Sequence, residues 1–418
     1  MGILRSPAEA NRLREPPGFA SDRRGIQRRY YMRKPVKDNR PVAFDPPTAY
    51  NTSMQTVEPI SISMDSRRPL LEVAPDDLAA WLRERGQAPL RTRQLQRWIF
   101  DGRAVSFDQM SDLPKRLRDE LAASFRLLGS DIARHLVSSD GTHKLLLRLR
   151  DGQVVECVLL READRRTVCI STQVGCGMGC VFCASGIGGV VRNLTGGEIL
   201  EQMLHARRLL PLDERLTHLV VMGMGEPLAN FDALLEALAI ASSPRGLGIG
   251  ARHITVSTVG LPNRMRQFAD LGKQYHLAVS LHAPNDELRN RIVPTNDKTG
   301  LAAILDAADY FQTKTGRQVT YEYVLLRDLN DLPPHAGELT KLLRGRQAHV
   351  NLIPFNDVEG LPYRRLTQQA LEDFVAILRS GGVSAKVRKR KGADIDAACG
   401  QLRRAALTAS ELISVQGV

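Results

Sequence analysis

From about residue 165 onward, short apolar runs alternate with longer stretches of helical period. "TVCISTQVG", "LTHLVVMGMG", "HITVSTVG", "YHLAVSLHA", "VTYEYVLL" and "HVNLIPFN" read as strands. Between them, "GGEILEQMLHARRLL", "FDALLEALAIAS", "PNRMRQFADLG", "LAAILDAADYFQTKTG" and "LTKLLRG" have the apolar spacing of amphipathic helices. Six βα units predict an α/β fold with a parallel sheet and right-handed crossovers. Six are too few to close an eight-stranded barrel. The expectation is an open (βα)6 partial TIM barrel over residues 162–392, with function at the C-terminal strand ends. A helical pattern, "TQQALEDFVAILRSGG", and the strand-like "SAKVRKR" complete it, and a loop and tail, 393–418, follow.

Upstream the pattern changes. "APDDLAAWLRERG" carries Pro and Asp at a helix start and Gly at its end. "LRTRQLQRWIF" spaces Leu95, Trp98 and Ile99 helically, with Arg91, Arg93 and Arg97 between them, and "LPKRLRDELAASF" gives a third helix. Residues 66–130 are therefore expected to be a small helical module. Its arginines suit a solvated face or a phosphate-contacting one equally. Residues 131–161 contain "KLLLRLR" and "VVECVLL", broken by Asp-Gly, and predict a small β segment leading into the main domain. Residues 1–65 hold no sustained period and are rich in Arg and Pro, which predicts a disordered basic extension.

Charge then adds a partner. Across 418 residues, 58 Lys and Arg outnumber 46 Asp and Glu, a formal net charge of +12. A field of that sign favours a polyanion, nucleic acid first, although an Arg-rich protein can be merely basic. The extension could be an RNA-gripping arm, a solvated tail or the product of an upstream start, since Met32, Met54 and Met64 are internal. Glu9, Glu15 and Asp22 argue against an organelle transit peptide. No apolar run approaches a membrane span, and no secretory core is visible at the N-terminus. The expected setting is a reducing cytoplasm, where cysteines serve as ligands or catalysts rather than staples.

Three of the six cysteines, Cys176, Cys180 and Cys183, fall in "GCGMGCVFCASG", just after the first barrel strand. A zinc site would need a fourth ligand, and a second Cys pair is absent nearby. A disulfide conflicts with the compartment. Three thiolates from one tight loop suit three irons of a 4Fe-4S cluster, leaving the fourth iron open to a small molecule. Other strand ends offer polar groups: Gly225 and Glu226 in "MGMGEPLAN", Ser257 in "TVSTVG", Ser280, Leu281 and His282 in "VSLHAPND", and Asn356 in "LIPFND". Singly, each is more often a cap or turn residue. Together they line one rim.

The C-x3-C-x2-C loop resembles the signature of radical S-adenosylmethionine (SAM) enzymes. The resemblance narrows when "CISTQVGCGMGCVFCASG", "RNLTGGEI", "MGMGEPLAN", "SLHAPND", "LIPFN" and "ADIDAACGQL" are taken together and in order. Over about residues 70–405 the chain resembles the RlmN/Cfr family of radical SAM RNA methyltransferases. That resemblance implies one 4Fe-4S cluster on Cys176, Cys180 and Cys183. It places SAM against Gly225, Glu226, Ser257, Ser280, Leu281, His282 and Asn356. It assigns Cys399 as a methyl carrier, Cys169 as a second catalytic thiol and Glu156 as a proton acceptor. Adenine carbon-2 is electrophilic and its C–H is not acidic, so plain displacement on SAM fails there. The implied route methylates Cys399 from one SAM. A radical from a second SAM converts that methyl to a methylene radical, which adds to the ring. Cys169 then attacks the Cys399 sulfur to release methylated RNA, leaving a disulfide that must be reduced. Implied partners are 23S rRNA, tRNA and an electron donor, with no membrane; the chain is expected to be a monomer.

Plainer readings stand beside these. Cys399 could be a structural thiol, although "DIDAACGQL" is a poor core segment. Glu156 could be a strand carboxylate paired with an arginine. Cys157 reads as a small apolar strand residue. The rival activities are methylation at carbon-8, as in the Cfr branch, or another radical SAM enzyme. A methylthiotransferase would want a second three-cysteine cluster, and an activase would not need Cys399. A non-catalytic RNA-binding protein would need neither Cys169 nor Cys399. Carbon-2 is the preferred reading.

Overall fold

The computed structural model describes residues 66–358 and 360–402; the N-terminal extension and the tail beyond residue 402 lie outside the described residues. Helices α1 (Pro75–Glu84), α2 (Leu90–Phe100) and α3 (Lys115–Ser124) come first, flanked by paired short strands β1 (Arg68–Pro69) and β2 (Phe125–Arg126). Leu82, Leu95, Ile99, Leu117 and Leu121 supply their buried faces, as the helical period predicted. Arg91 and Arg97 both turn back to the Asp112 turn, and Arg93 is exposed.

The main sheet has ten strands. Strands β3 (Asp131–Val137), β4 (His143–Arg148), β5 (Val154–Arg161) and β6 (Arg166–Cys169) run antiparallel to one another. A separate ribbon, β7 (Gln173–Gly175) with β8 (Val190–Asn193), brackets the cysteine loop. Parallel strands then extend from β6: β9 (His218–Val221), β10 (Ile254–Thr258), β11 (His276–Ser280), β12 (Val319–Leu325), β13 (Ala348–Pro354) and β14 (Ser384–Val387). The helices α4 (Gly196–Arg208), α5 (Phe231–Ser242), α6 (Pro262–Asp270), α7 (Asp286–Ile292), α8 (Leu301–Thr315), α9 (Pro333–Leu343) and α10 (Gln368–Ser380) alternate with them. All six predicted barrel strands are present, and the sheet stays open between β14 and β3.

Three features differ from the sequence expectation. The β3–β5 strands do not make a sheet of their own; they continue the barrel sheet past β6. "SAKVRKR" supplies a seventh parallel strand, which carries Arg388 to the rim. The short helix α7 was not visible in the apolar pattern. Helix starts are chemically marked: Thr195 Oγ1 accepts from the Glu198 amide at 3.1 Å while Glu198 Oε2 accepts from the Thr195 amide at 2.9 Å, a complete capping box for α4. Among the described residues no helix is long and apolar enough to cross a membrane.

Candidate functional site

Parallel strands point their C-terminal ends to one face, so the rim collects what each strand delivers. The cysteine loop leaves β7 through Gly175, whose φ of 78° is left-handed and whose added Cβ would stand 2.1 Å from the Gly189 carbonyl oxygen. Cys176 then donates its amide to that same oxygen at 3.1 Å, closing the loop's neck. Cys176, Cys180 and Cys183 all face one cavity. Opposite them stand Gly225 and Glu226 after β9, Ser257 on β10, Ser280 and His282 from β11, and Asn356 after β13. The cleft encloses about 150 Å3 and opens to solvent.

Each wall group is held from behind. Glu226 Oε2 accepts from the Val259 amide at 2.8 Å and Oε1 from the Leu228 amide at 3.0 Å. Burial nevertheless pushes its carboxyl up to about 6, against those bonds. Gly225 must be glycine, because its φ is 100° and a Cβ would meet Gln173 Cβ at 2.6 Å. Ser257 and Ser280 hydroxyls lie 3.4 Å apart across neighbouring strands. His282 sits at φ 60°, and its Nδ1 accepts from the Val324 amide at 3.1 Å. Burial drives this imidazole down to about 3. It is therefore neutral, with its proton on Nε2 available to a ligand. Phe182 of the cysteine loop packs edge-on against it, with centroids 4.8 Å apart. Leu281 differs: it is fully buried, is not part of the cavity wall, and donates its amide to Glu322 O at 3.0 Å.

A second cavity adjoins the first. Arg165, Arg365, Lys386, Arg388, Lys389, Arg390 and Lys391 line it against one acid, Glu162. Cys169 from the end of β6 lines this basic groove, and Cys399 lines both cavities. The two catalytic thiols predicted from opposite ends of the sequence thus share one groove, and both are free. Burial pushes the Cys169 thiol up to about 12, with Cys399 adding and Arg388 opposing. Arg388 sits between the cavities, its Nη1 3.9 Å from Glu322 Oε2. The Cys399 sulfur is the largest influence raising its pKa, and Glu322 adds to it.

The loop carrying Cys399 is pinned on several sides. Asn356 Nδ2 donates to Cys399 O at 3.1 Å, the Ala184 amide to Gly400 O at 2.8 Å, and Gln401 Nε2 to Asp357 O at 2.8 Å. Glu156 is buried on β5, on the sheet face shared by Val158 and Leu160 of the groove, yet it lies outside both cavity walls. Its carboxylate Oε1 is 3.2 Å from Lys144 Nζ, so a lysine is among its partners. Cys157 points to the opposite face and is fully buried in the core.

Sequence reasoning missed Arg388, Glu322 and Arg289. A glutamate inside the apolar run "VTYEYVLL" and an arginine at the end of a seventh strand were signals for the first two. Arg289 of α7, 1% exposed, donates to Leu281 O at 2.9 Å, Ser280 O at 3.0 Å, Val259 O and Asn296, so it ties the ends of β10 and β11 together.

Three soft thiol donors from one loop facing one cavity fit the protein-held irons of a 4Fe-4S cluster. Among the described residues no three His, Cys, Asp or Glu donors are placed to hold a single metal ion. Three soft thiols on one loop, each bound to a different iron, need no such convergence. Burial raises all three thiols, Cys176 to about 11, a cost that bound iron would offset.

Residues 170–335 match the Radical SAM superfamily, and residues 69–127 match the ribosomal RNA large subunit methyltransferase N-terminal domain. The chain is 56% identical over 335 residues to a Rhodopirellula baltica protein named "Probable dual-specificity RNA methyltransferase RlmN", covering 80% of this chain and 90% of that one. A Symbiobacterium thermophilum protein of the same name is 46% identical over 343 residues, covering 81% and 92%. The crystal structure of a radical SAM methyltransferase from Sphaerobacter thermophilus, 43% identical, superposes with a TM-score of 0.78 over 81% of this chain and all of that one. With the cysteine cavity, the basic groove and these relatives in agreement, the chain belongs to the RlmN family of radical SAM RNA methyltransferases, which work with a 4Fe-4S cluster and SAM.

Proposed function

We propose that this enzyme methylates carbon-2 of adenine in 23S rRNA and in tRNA, with Cys399 as the methyl carrier. The observation that carries the reading is the placement of Cys399 in the wall between the cysteine cavity and a groove holding seven cations and Cys169. A carrier must face its methyl source on one side and its acceptor on the other. Relatives named for dual-specificity RNA methylation support an RNA acceptor of more than one kind.

In this reading Cys176, Cys180 and Cys183 hold the cluster, while Gly225, Glu226, Ser257, Ser280, His282 and Asn356 hold SAM. Leu281 contributes only through the rim's backbone. Cluster and SAM, when bound, supply the radical that removes a hydrogen from the methyl group on Cys399. The chain's own residues do the rest. Cys399 first accepts the methyl group by displacement and later presents the resulting carbon to the base. Glu156 takes the ring proton. Cys169 then attacks the Cys399 sulfur: the S–S bond forms, the C–S bond to the RNA breaks with its electron pair on carbon, and that carbon takes a proton to become the methyl group of the freed RNA. Arg388 keeps positive charge beside both thiols. The cations of the groove meet phosphates, and residues 66–130 act as an RNA-gripping module. An outside electron donor resets cluster and disulfide.

The test is methylation of rRNA and tRNA fragments by reconstituted enzyme, with the product mapped by mass spectrometry. Methyl on carbon-2 in both substrates is expected. Methyl on carbon-8 would move the enzyme to the other branch, and absence of methylation would remove the proposal.

A further inference from the structure

Lys144 is a buried cation with partners from two distant parts of the chain. It lies on β4, 8% exposed, on the same sheet face as Glu156. Its Nζ is 3.2 Å from Glu156 Oε1 and donates to the main-chain oxygen of Asp396 at 3.2 Å. Asp396 lies three residues before Cys399 on the carrier loop. The β3–β4 turn joins the same loop three more times. Ser138 Oγ and the Ser139 amide donate to the Asp394 carboxylate, the latter at 3.0 Å, and the Gly392 amide donates to Asp140 Oδ2 at 3.1 Å. The carrier loop is thus latched to the hairpin whose Lys144 holds Glu156.

An ammonium taken out of water is costly unless its charge is paired and its protons are used. Here one carboxylate and one loop carbonyl do both. Lifting the loop removes the carbonyl and opens the ion pair to water. The ion pair of the carboxylate and the docking of the loop are therefore coupled through Lys144.

We propose that Lys144 is a positioning residue for the removal of the ring proton, fixing the Glu156 carboxylate when the Cys399 loop is docked. This rests on the reading of Glu156 as proton acceptor and Cys399 as carrier. The step served is a proton transfer. Once the unpaired electron left on the ring by radical addition has passed to the oxidised iron–sulfur cluster as one-electron acceptor, the C–H bond at the reacting ring carbon of the protein–RNA adduct breaks, its proton goes to a Glu156 oxygen, and its electron pair restores the aromatic ring. A carboxylate fixed by this ion pair meets that C–H in a narrower range of geometries than the same carboxylate without it.

The experiment uses full-length reconstituted enzyme, SAM, a chemical reductant and an rRNA fragment with hydrogen or deuterium at adenine carbon-2. Single-turnover product formation is measured for wild type, Lys144→Met, Lys144→Arg and Glu156→Gln. Lys144→Met is expected to lower the rate about tenfold or more and to raise the deuterium isotope effect above that of the wild type, because C–H cleavage becomes the slow step. Lys144→Arg, which keeps charge and donors, is expected to recover most of the rate and the wild-type isotope effect. Should Lys144→Met not fold, Lys144→Gln keeps a donor for the carbonyl without a charge for the carboxylate, and the same outcome is expected. A slower rate with an unchanged isotope effect would mean that Lys144 supports only the fold, and an unchanged rate would mean that it does nothing; either overturns the proposal. If Glu156→Gln turns over like the wild type, the assignment of Glu156 itself fails, and the position of Lys144 loses its purpose.

Discussion

In the proposed mechanism, the burial of Cys169 sets the pace of product release. Its thiol lies 8% exposed at the end of β6 and is pushed from an ordinary 9.0 up to about 12. The cause is chiefly desolvation of the thiolate, with Arg388 offsetting part of it. Three pH units correspond to roughly 4 kcal/mol against ionisation. At pH 8 about one Cys169 in ten thousand is then the thiolate that attacks sulfur. The sign follows directly: a rise in pH removes the proton and speeds attack, and each unit below the pKa changes the rate about tenfold. The adduct formed in a single turnover should therefore disappear about tenfold faster at pH 9 than at pH 8, followed as an RNA-shifted band on a denaturing gel. Substituting Arg388 by Met removes the nearby cation and should slow that decay at every pH. A decay rate that rises less than about twofold from pH 9 to pH 10 would refute the reasoning, because it would mean that the buried thiol ionises as an ordinary one.

Three further outcomes follow from the same structure. Cys169→Ala should hold the protein–RNA adduct indefinitely, visible on the same gel, because no other groove thiol is left to attack the Cys399 sulfur. Arg289→Met should lower stability by about 3–5 kcal/mol in chemical denaturation, because three buried strand-end carbonyls lose a charged donor at once. Replacing Lys389, Arg390 and Lys391 together by Ala should reduce the slope of log affinity against log salt for RNA by about 2–3, measured by fluorescence anisotropy, while leaving SAM affinity in place.

The sequence made the six parallel strands and the three-cysteine loop visible because both signals are local. Apolar runs such as "HLVV" and "HLAVS" need only a few adjacent residues to declare a buried strand, and the cysteines lie within one loop. Helix α7 was hidden for the opposite reason: it is seven residues long, and its largest buried side chain is the charged Arg289, which an apolar pattern counts as surface. Strand β3 has an irregular register with β4 and half-buried faces, so its period is blurred. The latch between Lys144 and Asp396 joins residues 252 positions apart, through a main-chain oxygen that has no sequence signature. Glu156 was read with an arginine as its plain alternative partner. The fold supplies a lysine, because β4 places Lys144 diagonally across from it on the same face.

Cys399 as the carrier at the junction of the two cavities is the claim on which the rest depends. It is tested most directly by loading the enzyme with deuterated methyl from SAM in the absence of RNA, removing that SAM, and adding RNA with unlabelled SAM for one turnover. Tandem mass spectrometry should first find the labelled methyl on Cys399. It should then find the same carbon on adenine, short of one deuterium. A first-turnover RNA methyl that is wholly unlabelled, with the label still on Cys399 or never there, would contradict the account.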